Sequence, residues 1–334
     1  MTKNIIVTGG AGYIGSHTVV ELVESGFTPI IIDNFSNSKP EIINRIEKIC
    51  KQKIKVYNIN CTDEETLIKT IQWNEIGGVI HFAAYKSVSE SFKKKEDYFL
   101  NNIESTKILL KIMEKHNIQS FVFSSSCTVY GNPNKLPVTE KTDVKNQSSP
   151  YGETKKICEE LIFSSVIQNF TILRYFNPIG AHESSLIGEE PSSTPNNLVP
   201  LICECAMGKR NKLTVYGNNY ATKDGTCVRD YIHVCDVAHA HVDALKNMIN
   251  NTKYRKVFNI GLSKGVSVLE LINLFEKNNN IKINYEFGKR RNGDVEKIYA
   301  DCNLAQKELK WNPKKTIAKA LIDAWNWEKE KQKY

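Results

Sequence analysis

The sequence contains no apolar run that approaches the roughly 20 residues of a membrane-spanning helix. Its N-terminus passes from Met1-Thr2-Lys3-Asn4 directly into the short apolar run Ile5-Ile6-Val7, which leaves no room for an export signal. We therefore expect a cytoplasmic protein that does not enter the membrane.

The Cys-x-x-Cys motif is also missing. An odd number of irregularly spaced cysteines, without an export signal, favours reduced thiols in a cytosol over a disulfide framework. The nine cysteines are Cys50, Cys61, Cys127, Cys158, Cys203, Cys205, Cys227, Cys235 and Cys302.

A metal-binding motif with regular spacing is absent. His233, Cys235, Asp236, His239 and His241 lie close together in the sequence. Only Cys235 and His239 have the spacing that places two side chains on one helix face. We therefore predict packing and surface histidines here, and no metal site.

Strong charge of one sign is lacking too. The 45 Lys and Arg residues exceed the 37 Asp and Glu residues by 8, and they are scattered along the chain. The densest basic runs, 93–95 and 314–315, are short and contain no aromatic residues. This distribution disfavours nucleic-acid binding, whereas a mild positive field suits an anionic small molecule.

What the chain does contain is ordinary globular composition, with 41% hydrophobic and 25% charged residues over 334 positions. In the first half, short β-branched runs alternate with amphipathic helical stretches. This alternation predicts an α/β fold with a doubly wound parallel Rossmann sheet. Strands are predicted at 5–7, 29–32, 54–58, 79–82, 121–124 and 171–175, and helices at 13–25, 41–51, 63–73, 97–116 and 151–168.

After residue 177 the pattern changes, which predicts a smaller C-terminal α/β substrate lobe over the edge of the sheet. Residues 177–198 are expected to be mostly loop. We place the domain boundary after residue 176, so that 1–176 form the nucleotide-binding domain and 177–334 the second domain, and we allow some later segments to return to the first. Within the second part, helices are predicted at 198–207, 235–250, 267–277 and 314–331, and strands at 213–215 and 257–260.

A glycine-rich turn follows the first predicted strand. Gly9, Gly12 and Gly15 have the spacing that makes a tight turn, lets backbone N–H groups reach a pyrophosphate and packs a helix on a strand. The start of that helix adds unpaired donors for the anion. Together with the flanking strand and helix, the pattern predicts a dinucleotide site.

The second predicted strand ends in Asp33, 18 residues after Gly15. A carboxylate at this place accepts hydrogen bonds from a ribose 2′-hydroxyl and repels a 2′-phosphate. No arginine follows immediately, since the next residues are Asn34-Phe35-Ser36-Asn37-Ser38. The cofactor is therefore predicted to be NAD rather than NADP.

Tyr151 and Lys155 are four residues apart and share one face of a predicted helix that starts after Pro150. A phenol with a pKa near 10 is a poor base at neutral pH. An ammonium group and a positive nicotinamide nearby favour the phenolate, so we expect the pKa of Tyr151 to be lowered and the pair to act as a general base.

Residues 124–131 (SSSCTVYG) follow the fifth predicted strand. Because a parallel sheet binds ligands at the carboxyl ends of its strands, a hydroxyl here is expected to orient a substrate hydroxyl near the base.

The glycine turn, this serine-rich stretch and the Tyr151/Lys155 pair together resemble the extended short-chain dehydrogenase/reductase family. Further segments are similar to the UDP-glucose 4-epimerase family, and the similarity covers nearly the whole chain. They are 81–88 (HFAAYKSV), 174–181 (RYFNPIGA), 195–198 (PNNL) and 224–233 (DGTCVRDYIH).

This resemblance implies an isomerase of galactose metabolism that oxidises a UDP-hexose at C4, turns the 4-keto sugar and returns the hydride. Tyr151 would take the proton of the 4-hydroxyl, Lys155 would tune it, and Ser126 would share the 4-oxygen. The cofactor contacts implied in this way are Gly9, Gly12, Tyr13, Ile14, Gly15, Asp33, Asn34, Phe35, Ser36, Asn37, Ser38, Asn60, Cys61, Phe82, Ala83, Ala84, Tyr85, Lys86, Asn101, Ser124, Ser126, Tyr151, Lys155 and Phe176.

The resemblance also implies a UDP-sugar site, in which charged and bidentate contacts anchor the diphosphate. Its residues would be Ser126, Cys127, Thr128, Tyr151, Asn177, Asn197, Leu198, Thr214, Val215, Tyr216, Arg229, Arg291, Asp294 and Ile298.

Three positions depart from the family pattern or vary within it. Asn60 replaces an acid near the adenine, which is expected to weaken NAD binding without abolishing it. Cys127 stands where alanine is common and is expected to fill apolar space. Ile298 occupies a position thought to limit the substituent at sugar C2, so UDP-glucose and UDP-galactose are the expected pair, with slow turnover of the N-acetylated pair.

Two rival functions remain. A nucleotide-sugar 4,6-dehydratase has the same fold and cofactor, but Cys127 and Thr128 stand where its acid and base are expected. A non-catalytic NAD-binding protein usually loses the tyrosine or the lysine, and this chain has both. The helices at 97–116 and 151–168 are expected to pair in a homodimer, as in the family.

Overall fold

The computed structural model describes residues 4–331 apart from 145–146, 192–194, 250, 252 and 292. The last residue of the helix predicted at 235–250, and part of the loop predicted at 177–198, therefore lie outside the described residues. The first part of the chain consists of β1 (Asn4–Thr8), α1 (Tyr13–Glu24), β2 (Thr28–Ile32), α2 (Glu41–Cys50), β3 (Lys55–Tyr57), α3 (Glu64–Thr70), β4 (Ile76–His81), α4 (Val88–Ser91), α5 (Lys95–Lys115), β5 (Ser120–Ser126), α6 (Pro150–Ser164) and β6 (Asn169–Tyr175).

The second part consists of shorter strands between helices. A turn of 3-10 helix at Cys127–Tyr130 follows β5, and a π-helical segment at Ala305–Leu309 precedes the last helix. The elements are β7 (Asn177–Ile179), α7 (Leu198–Ala206), β8 (Leu213–Tyr216), β9 (Val228–His233), α8 (Val234–Ile249), β10 (Tyr254–Ile260), β11 (Gly265–Ser267), α9 (Val268–Asn279), β12 (Tyr285–Gly288), β13 (Lys297–Ile298) and α10 (Ile317–Glu330).

The main sheet has seven parallel strands in the order β10-β6-β5-β4-β1-β2-β3. Ile5, Ile6 and Val7 of β1 are completely buried, as expected for a strand covered by helices on both faces. The prediction of a doubly wound parallel sheet is therefore confirmed. The strand order reverses at β1, which lies between β2 and β4, and such a switch point opens a ligand crevice at the carboxyl ends of the strands.

The strand predicted at 257–260 was assigned to the smaller lobe, and this assignment is corrected by the structure, in which β10 is the seventh strand of the main sheet. β10 instead pairs along its whole length with β6, from Tyr254 opposite Asn169 to Ile260 opposite Tyr175. The preceding helix α8 packs against α1, β5 and β6. A β-branched run fits the edge of either sheet equally well, so its local sequence does not reveal which one it joins.

The smaller lobe contains two further sheets. β9 lies between β11 and β13 and also pairs with β7, while β8 and β12 form a separate parallel pair. Residues 177–198 were predicted to be mostly loop, and the first three of them form the strand β7. The sequence did not predict this strand because it contains Pro178, and proline is rare inside sheets. None of the described helices combines the length and the apolar character needed to span a membrane.

Candidate active site

The glycine turn between β1 and α1 has no room for side chains. A Cβ atom added at Gly9 would lie 2.8 Å from the backbone nitrogen of Ala83, and one at Gly15 would lie 2.2 Å from the Gly9 carbonyl oxygen. Gly9 also has a φ of +67°. Gly12 caps α1 without a side-chain hydrogen bond, which leaves donors of the first turn free. The turn therefore fits a pyrophosphate at the start of α1.

Asp33 follows β2 and is held beside this turn. Its Oδ2 accepts a hydrogen bond from the backbone N–H of Ala11 at 3.0 Å, and its Oδ1 accepts from the backbone N–H of Phe35 at 2.9 Å and from Ser38 Oγ at 3.0 Å. Burial raises the pKa of this carboxyl, and the same hydrogen bonds act in the opposite direction. The carboxylate is thus fixed where a ribose hydroxyl of a dinucleotide fits.

One cleft brings together most of the predicted cofactor residues. Four of them do not line it: Phe35, Ser124, Ser126 and Phe176. The predicted residues that do line it are Gly9, Gly12, Tyr13, Ile14, Gly15, Asp33, Asn34, Ser36, Asn37, Ser38, Asn60, Cys61, Phe82, Ala83, Ala84, Tyr85, Lys86, Asn101, Tyr151 and Lys155.

The cleft also contains residues that the sequence analysis missed. Tyr175 ends β6, so the rule that ligands bind at strand ends would have found it. Gly188, Glu189, Glu190 and Pro191 belong to an irregular segment of the second part, and no local pattern marks them. The other residues missed are Ala11, Ile32, Lys39, Ile42, Ile59 and Ser105.

Tyr151 and Lys155 lie in the first two turns of α6, where Ser149 Oγ accepts a hydrogen bond from the backbone N–H of Gly152. Both side chains are buried, with exposed fractions of 6% and 4%. The ammonium of Lys155 donates to the Ser124 carbonyl oxygen at 2.9 Å and lies 4.8 Å from the centre of the Phe123 ring. The lysine is therefore fixed against β5.

In the chain without a bound cofactor, burial dominates the pKa of Tyr151. Burial raises it well above its ordinary value, the nearby Tyr175 raises it further, and a hydrogen bond with Ser126 lowers it. Burial also lowers the pKa of Lys155 to about 8. The pKa of Lys155 lies below that of Tyr151, so the lysine has lost its positive charge before the buried phenol would ionise. In the chain alone the phenol is thus neutral at pH 7.

Ser126 ends β5 beside the phenol. Its Oγ accepts a hydrogen bond from the backbone N–H of Thr128 at 3.2 Å, which starts the 3-10 turn. Thr128 Oγ1 and Asn177 Oδ1 are buried and have no hydrogen-bond partner among the described residues. Since buried polar atoms are rarely left unpaired, these two are suited to a polar ligand near Ser126.

A second group of predicted residues lies on the smaller lobe. Asp294 Oδ2 accepts from Arg291 Nε at 3.0 Å, and Asp294 Oδ1 lies 3.7 Å from Arg229 NH2. The Arg291 guanidinium stacks 4.9 Å above the ring of Tyr216, at the end of the β8 stretch that holds Thr214 and Val215. None of these residues lines the cofactor cleft.

Cys127 and Ile298 lie near this second group. Pairing of β13 with β9 places Ile298 opposite Arg229, and Ile298 is 4% exposed. Arg229 is close enough to Cys127 to affect its pKa, although burial dominates and raises that pKa to about 12. Cys127 is therefore a buried, neutral thiol that follows Ser126 and lies near Arg229.

Asn197 and Leu198 begin α7, at the edge of the same lobe. Asn60 lies after β3, where its Oδ1 accepts a hydrogen bond from the backbone N–H of Thr62 at 3.1 Å. The amide oxygen of Asn60 thus already has one partner within the chain.

The histidines near residue 240 bind protein groups. His239 Nε2 lies 3.0 Å from Glu21 Oε2, and the carboxylate of Asp236 accepts from the backbone N–H groups of Lys314 and Lys315. Among the described residues, no group of three or more His, Cys, Asp or Glu side chains is arranged to hold a metal ion.

A family model and a known protein both match nearly the whole chain. The family model described as GDP-mannose 4,6 dehydratase matches residues 6–323. The chain is 45% identical to the UDP-glucose 4-epimerase of Haemophilus influenzae, over 98% of each protein.

Solved structures agree with this similarity. The UDP-glucose 4-epimerase of Stenotrophomonas maltophila, with bound NAD and formylated UDP-arabinopyranose, superposes with a TM-score of 0.94 at 40% identity over 99% of both chains. That of Bifidobacterium longum, in complex with NAD+ and UDP, gives a TM-score of 0.92 at 41% identity, covering 98% of this chain and 99% of its own.

Proposed function

Since this chain belongs to the UDP-glucose 4-epimerase family, within the extended short-chain dehydrogenases/reductases, we propose that it is an NAD-dependent isomerase that interconverts UDP-glucose and UDP-galactose in galactose metabolism. Bound NAD supplies the acceptor that takes a hydride from sugar C4 and returns it, so the reaction has no net redox change.

The chain itself supplies the proton transfer at the sugar 4-oxygen. Tyr151 accepts the proton of the 4-hydroxyl, and Ser126, which lies beside Tyr151, holds the same oxygen. Because burial disfavours the phenolate in the chain alone, a positive charge in the cleft is needed to stabilise it. Lys155 lines the same cleft, where it contacts the cofactor. Its own ammonium group is a second positive charge at the base of the cleft.

The observation that carries this proposal is the position of Tyr151. It is the predicted base, it lines the cofactor cleft, and it lies close enough to Ser126, at the carboxyl end of β5, for this hydroxyl to lower its pKa. Arg229, Arg291 and Asp294 lie beyond Ser126, on the side of the smaller lobe. A sugar held there by its UDP group presents its hydroxyls to Tyr151.

The test uses purified protein and UDP-galactose without added NAD, with UDP-glucose as the measured product. We expect conversion to equilibrium by the wild type and conversion slower by about 10²–10⁴-fold by Tyr151→Phe at equal NAD content. Failure of the wild type to form UDP-glucose, despite bound NAD, would favour a non-catalytic NAD-binding protein.

A nucleotide-sugar 4,6-dehydratase is disfavoured by two side chains. A dehydratase needs an acid and a base beyond the tyrosine, and the neutral thiol of Cys127 and the hydroxyl of Thr128 supply neither at pH 7. The same assay tests this rival, because a dehydratase forms a stable 4-keto product from its sugar.

The same enzyme class includes a second substrate preference, for the N-acetylated sugar pair. We propose that Ile298 restricts the space at sugar C2, because its side chain is buried beside Arg229 and its branched Cβ is stiff. UDP-glucose and UDP-galactose are then preferred over their N-acetylated counterparts.

We also propose that the protein is a cytoplasmic homodimer. All nine cysteines are free thiols, as in a reducing compartment. Helices α5 and α6 pack side by side and expose Leu100 and Phe163 by 66% and 47%. Sedimentation at micromolar concentration should give about twice the chain mass of 38.0 kDa, and a monomer there would contradict the dimer.

A further inference from the structure

A buried ion pair joins helix α6 to the main sheet one residue away from Ser126. Glu159 lies in the third turn of α6 and is 3% exposed. Its Oε1 accepts hydrogen bonds from Ser125 Oγ at 2.6 Å and from Arg174 Nε at 3.0 Å, and its Oε2 accepts from Arg174 NH2 at 2.6 Å. The carboxylate therefore ties α6 to both β5 and β6 through charge-assisted hydrogen bonds.

The sheet side of this ion pair is a polar row that crosses three strands. Arg174 of β6 is the register partner of Ser125 on β5 and of Asn259 on β10. Arg174 NH1 donates to the hydroxyl of Tyr130 at 3.1 Å, and that hydroxyl donates to Asn259 Oδ1 at 2.6 Å. All four side chains are buried. The guanidinium therefore has a fixed position, and the next residue of β5 after this row is Ser126.

Glu159 shares one face of α6 with the proposed base. Tyr151, Lys155 and Glu159 follow one another at intervals of four residues, so their side chains lie along the same side of the helix. Lys155 Nζ donates to the Ser124 carbonyl oxygen. Because Glu159 is bonded to the next residue, Ser125, the second and third turns of α6 are both fixed to the end of β5. The first turn, which carries the phenol, is held in place by these two attachments.

Stability alone does not account for this ion pair. Taking two charges out of water costs more than their attraction commonly returns, and apolar residues of similar volume often replace such a pair without loss of stability. Apolar contacts between α6 and β5 are already present, since Cys158 and Ile162 lie in one hydrophobic cluster with two phenylalanines of β5. Such contacts have no fixed direction, whereas a bidentate carboxylate–guanidinium pair defines both a distance and an angle.

We propose that Glu159 is a positioning residue, which holds α6 through Ser125 and Arg174. The phenol of Tyr151 is thereby kept beside Ser126, where it accepts the proton. Glu159 does not line the cofactor cleft, so it acts on the reaction only through these neighbours. A displacement of about 1 Å between reacting groups can cost about 10²-fold in rate. This inference rests on the proposed function, because it takes the phenol as the proton acceptor.

The test removes both charges together, because a single change would leave one buried charge unpaired. The variant is Glu159→Leu combined with Arg174→Met, prepared with bound NAD. We expect its kcat for UDP-galactose to fall about 10²-fold, while the NAD content, the Kd of UDP and the urea midpoint of unfolding stay near the wild-type values. An unchanged kcat would overturn the proposal. A variant that does not fold, or that loses UDP or NAD binding as strongly as kcat, would show that the pair serves stability and would overturn it as well.

Glu204→Leu combined with Arg210→Met is the matched control. Arg210 Nε and NH2 both donate to Glu204 Oε2 near the end of α7, so this pair has the same chemistry without a contact to α6. Its kcat should stay within about twofold of the wild type, since no reacting group depends on this pair. A loss equal to that of the Glu159 variant would mean that removing any such pair damages the enzyme.

A spectroscopic measurement separates positioning from a merely structural role. With fluorotyrosine incorporated in place of Tyr151, fluorine NMR of the NAD-loaded protein reports the surroundings of the phenol directly. We expect a single resonance in the wild type and in the Glu204 control, and a shifted or split resonance in the Glu159 variant, because the phenol is no longer held in one place. An unchanged resonance in the Glu159 variant would contradict the role.

These readouts also distinguish the role of Glu159 from the proposed function. If the wild type converts no UDP-galactose but the fluorine signal responds to loss of the pair, Glu159 positions the phenol and the epimerase assignment fails. If the wild type converts UDP-galactose and the Glu159 variant keeps its kcat and its resonance, the assignment stands and the positioning role fails.

Discussion

Backbone groups define the cofactor side of the site, whereas charged side chains define the proposed substrate side. On the cofactor side, backbone groups at the ends of β1 and β2 define the geometry, and the carboxylate of Asp33 is held by the N–H groups of Ala11 and Phe35. On the proposed substrate side, Arg229, Arg291 and Asp294 form a side-chain network carried by short strands and loops.

This difference predicts different sensitivities. Backbone donors are lost only when the fold changes, so the cofactor side should tolerate most surface substitutions. An ion-pair network depends on each of its members, so the substrate side should respond to single charge changes and to salt. The predictions below test that contrast.

The largest effect is expected where the two sides meet. Tyr151→Phe removes the proton acceptor and little volume, so turnover of UDP-galactose should fall about 10²–10⁴-fold. NAD content and the Kd of UDP, measured on the same preparation, should stay near wild type. More than about a tenth of the activity in this variant would show that another group accepts the proton.

Arg291→Ala should weaken UDP binding on the substrate side about 10–100-fold, because a charge-assisted hydrogen bond is worth about 1.5–3 kcal/mol. NAD binding should not change. Arg290→Ala is the matched control, since Arg290 donates to Asn219 and stacks 4.0 Å from the Tyr220 ring. Equal losses in both variants would mean that general positive charge, and not the Asp294 network, holds the diphosphate.

Lys155→Met should stabilise the NAD-free protein while destroying activity. The pKa of Lys155 is lowered to about 8, so below pH 8 the wild type buries an ammonium at a cost. We expect the variant to gain about 1–3 kcal/mol in the free energy of unfolding by urea at pH 7.

The stability difference between the wild type and Lys155→Met should depend on pH. Between about pH 8 and 10.5 the native lysine loses its proton while the unfolded chain keeps it, so wild-type stability rises with pH through this group. The advantage of Lys155→Met should therefore shrink over that window. An advantage that is constant with pH would point to packing instead of charge.

Asp33→Asn should reduce the discrimination between NAD and NADP about tenfold, because the charge that repels a 2′-phosphate is removed. The single amide oxygen of the asparagine can keep one of the two hydrogen bonds from the backbone N–H groups of Ala11 and Phe35. Apo-protein reconstituted with each cofactor gives the ratio of Kd values. An unchanged ratio would show that Asp33 supports the turn and does not select the cofactor.

The smallest effect concerns the C2 pocket. Ile298→Gly should raise the kcat/KM for UDP-N-acetylglucosamine relative to UDP-glucose up to about tenfold, since apolar pockets discriminate by about 1–3 kcal/mol. UDP-galactose turnover should stay within a few-fold. A wild type that already prefers the N-acetylated pair would remove Ile298 as the limiting residue.

The sequence predicted the elements whose signal is local. Gly9, Gly12 and Gly15, with Asp33 one strand later, describe a cofactor turn from spacing alone, and the structure leaves no room there for larger residues. Tyr151 and Lys155 are four apart on α6, so their shared face followed from the helix period.

The misses have a common cause, which is contact between distant segments. Glu189 meets Lys86 across 103 positions and has no pattern of its own. Burial raises the pKa of Tyr151 and lowers that of Lys155 to about 8, and the local Tyr-x-x-x-Lys spacing does not reveal how deeply either side chain is buried. The strand at 257–260 was assigned to the lobe because its partner, β6, lies about 85 residues earlier.

The sequence alone therefore determined the βαβ pattern, the dinucleotide turn and the candidate base, since strand and helix periods and glycine sterics act over a few residues. The tertiary structure alone decided which sheet β10 joins, how Asp294 pairs with its arginines, and how buried Tyr151 and Lys155 are. These properties depend on which distant surfaces exclude water from each other, and burial sets both the strength of an ion pair and the pKa of each buried group.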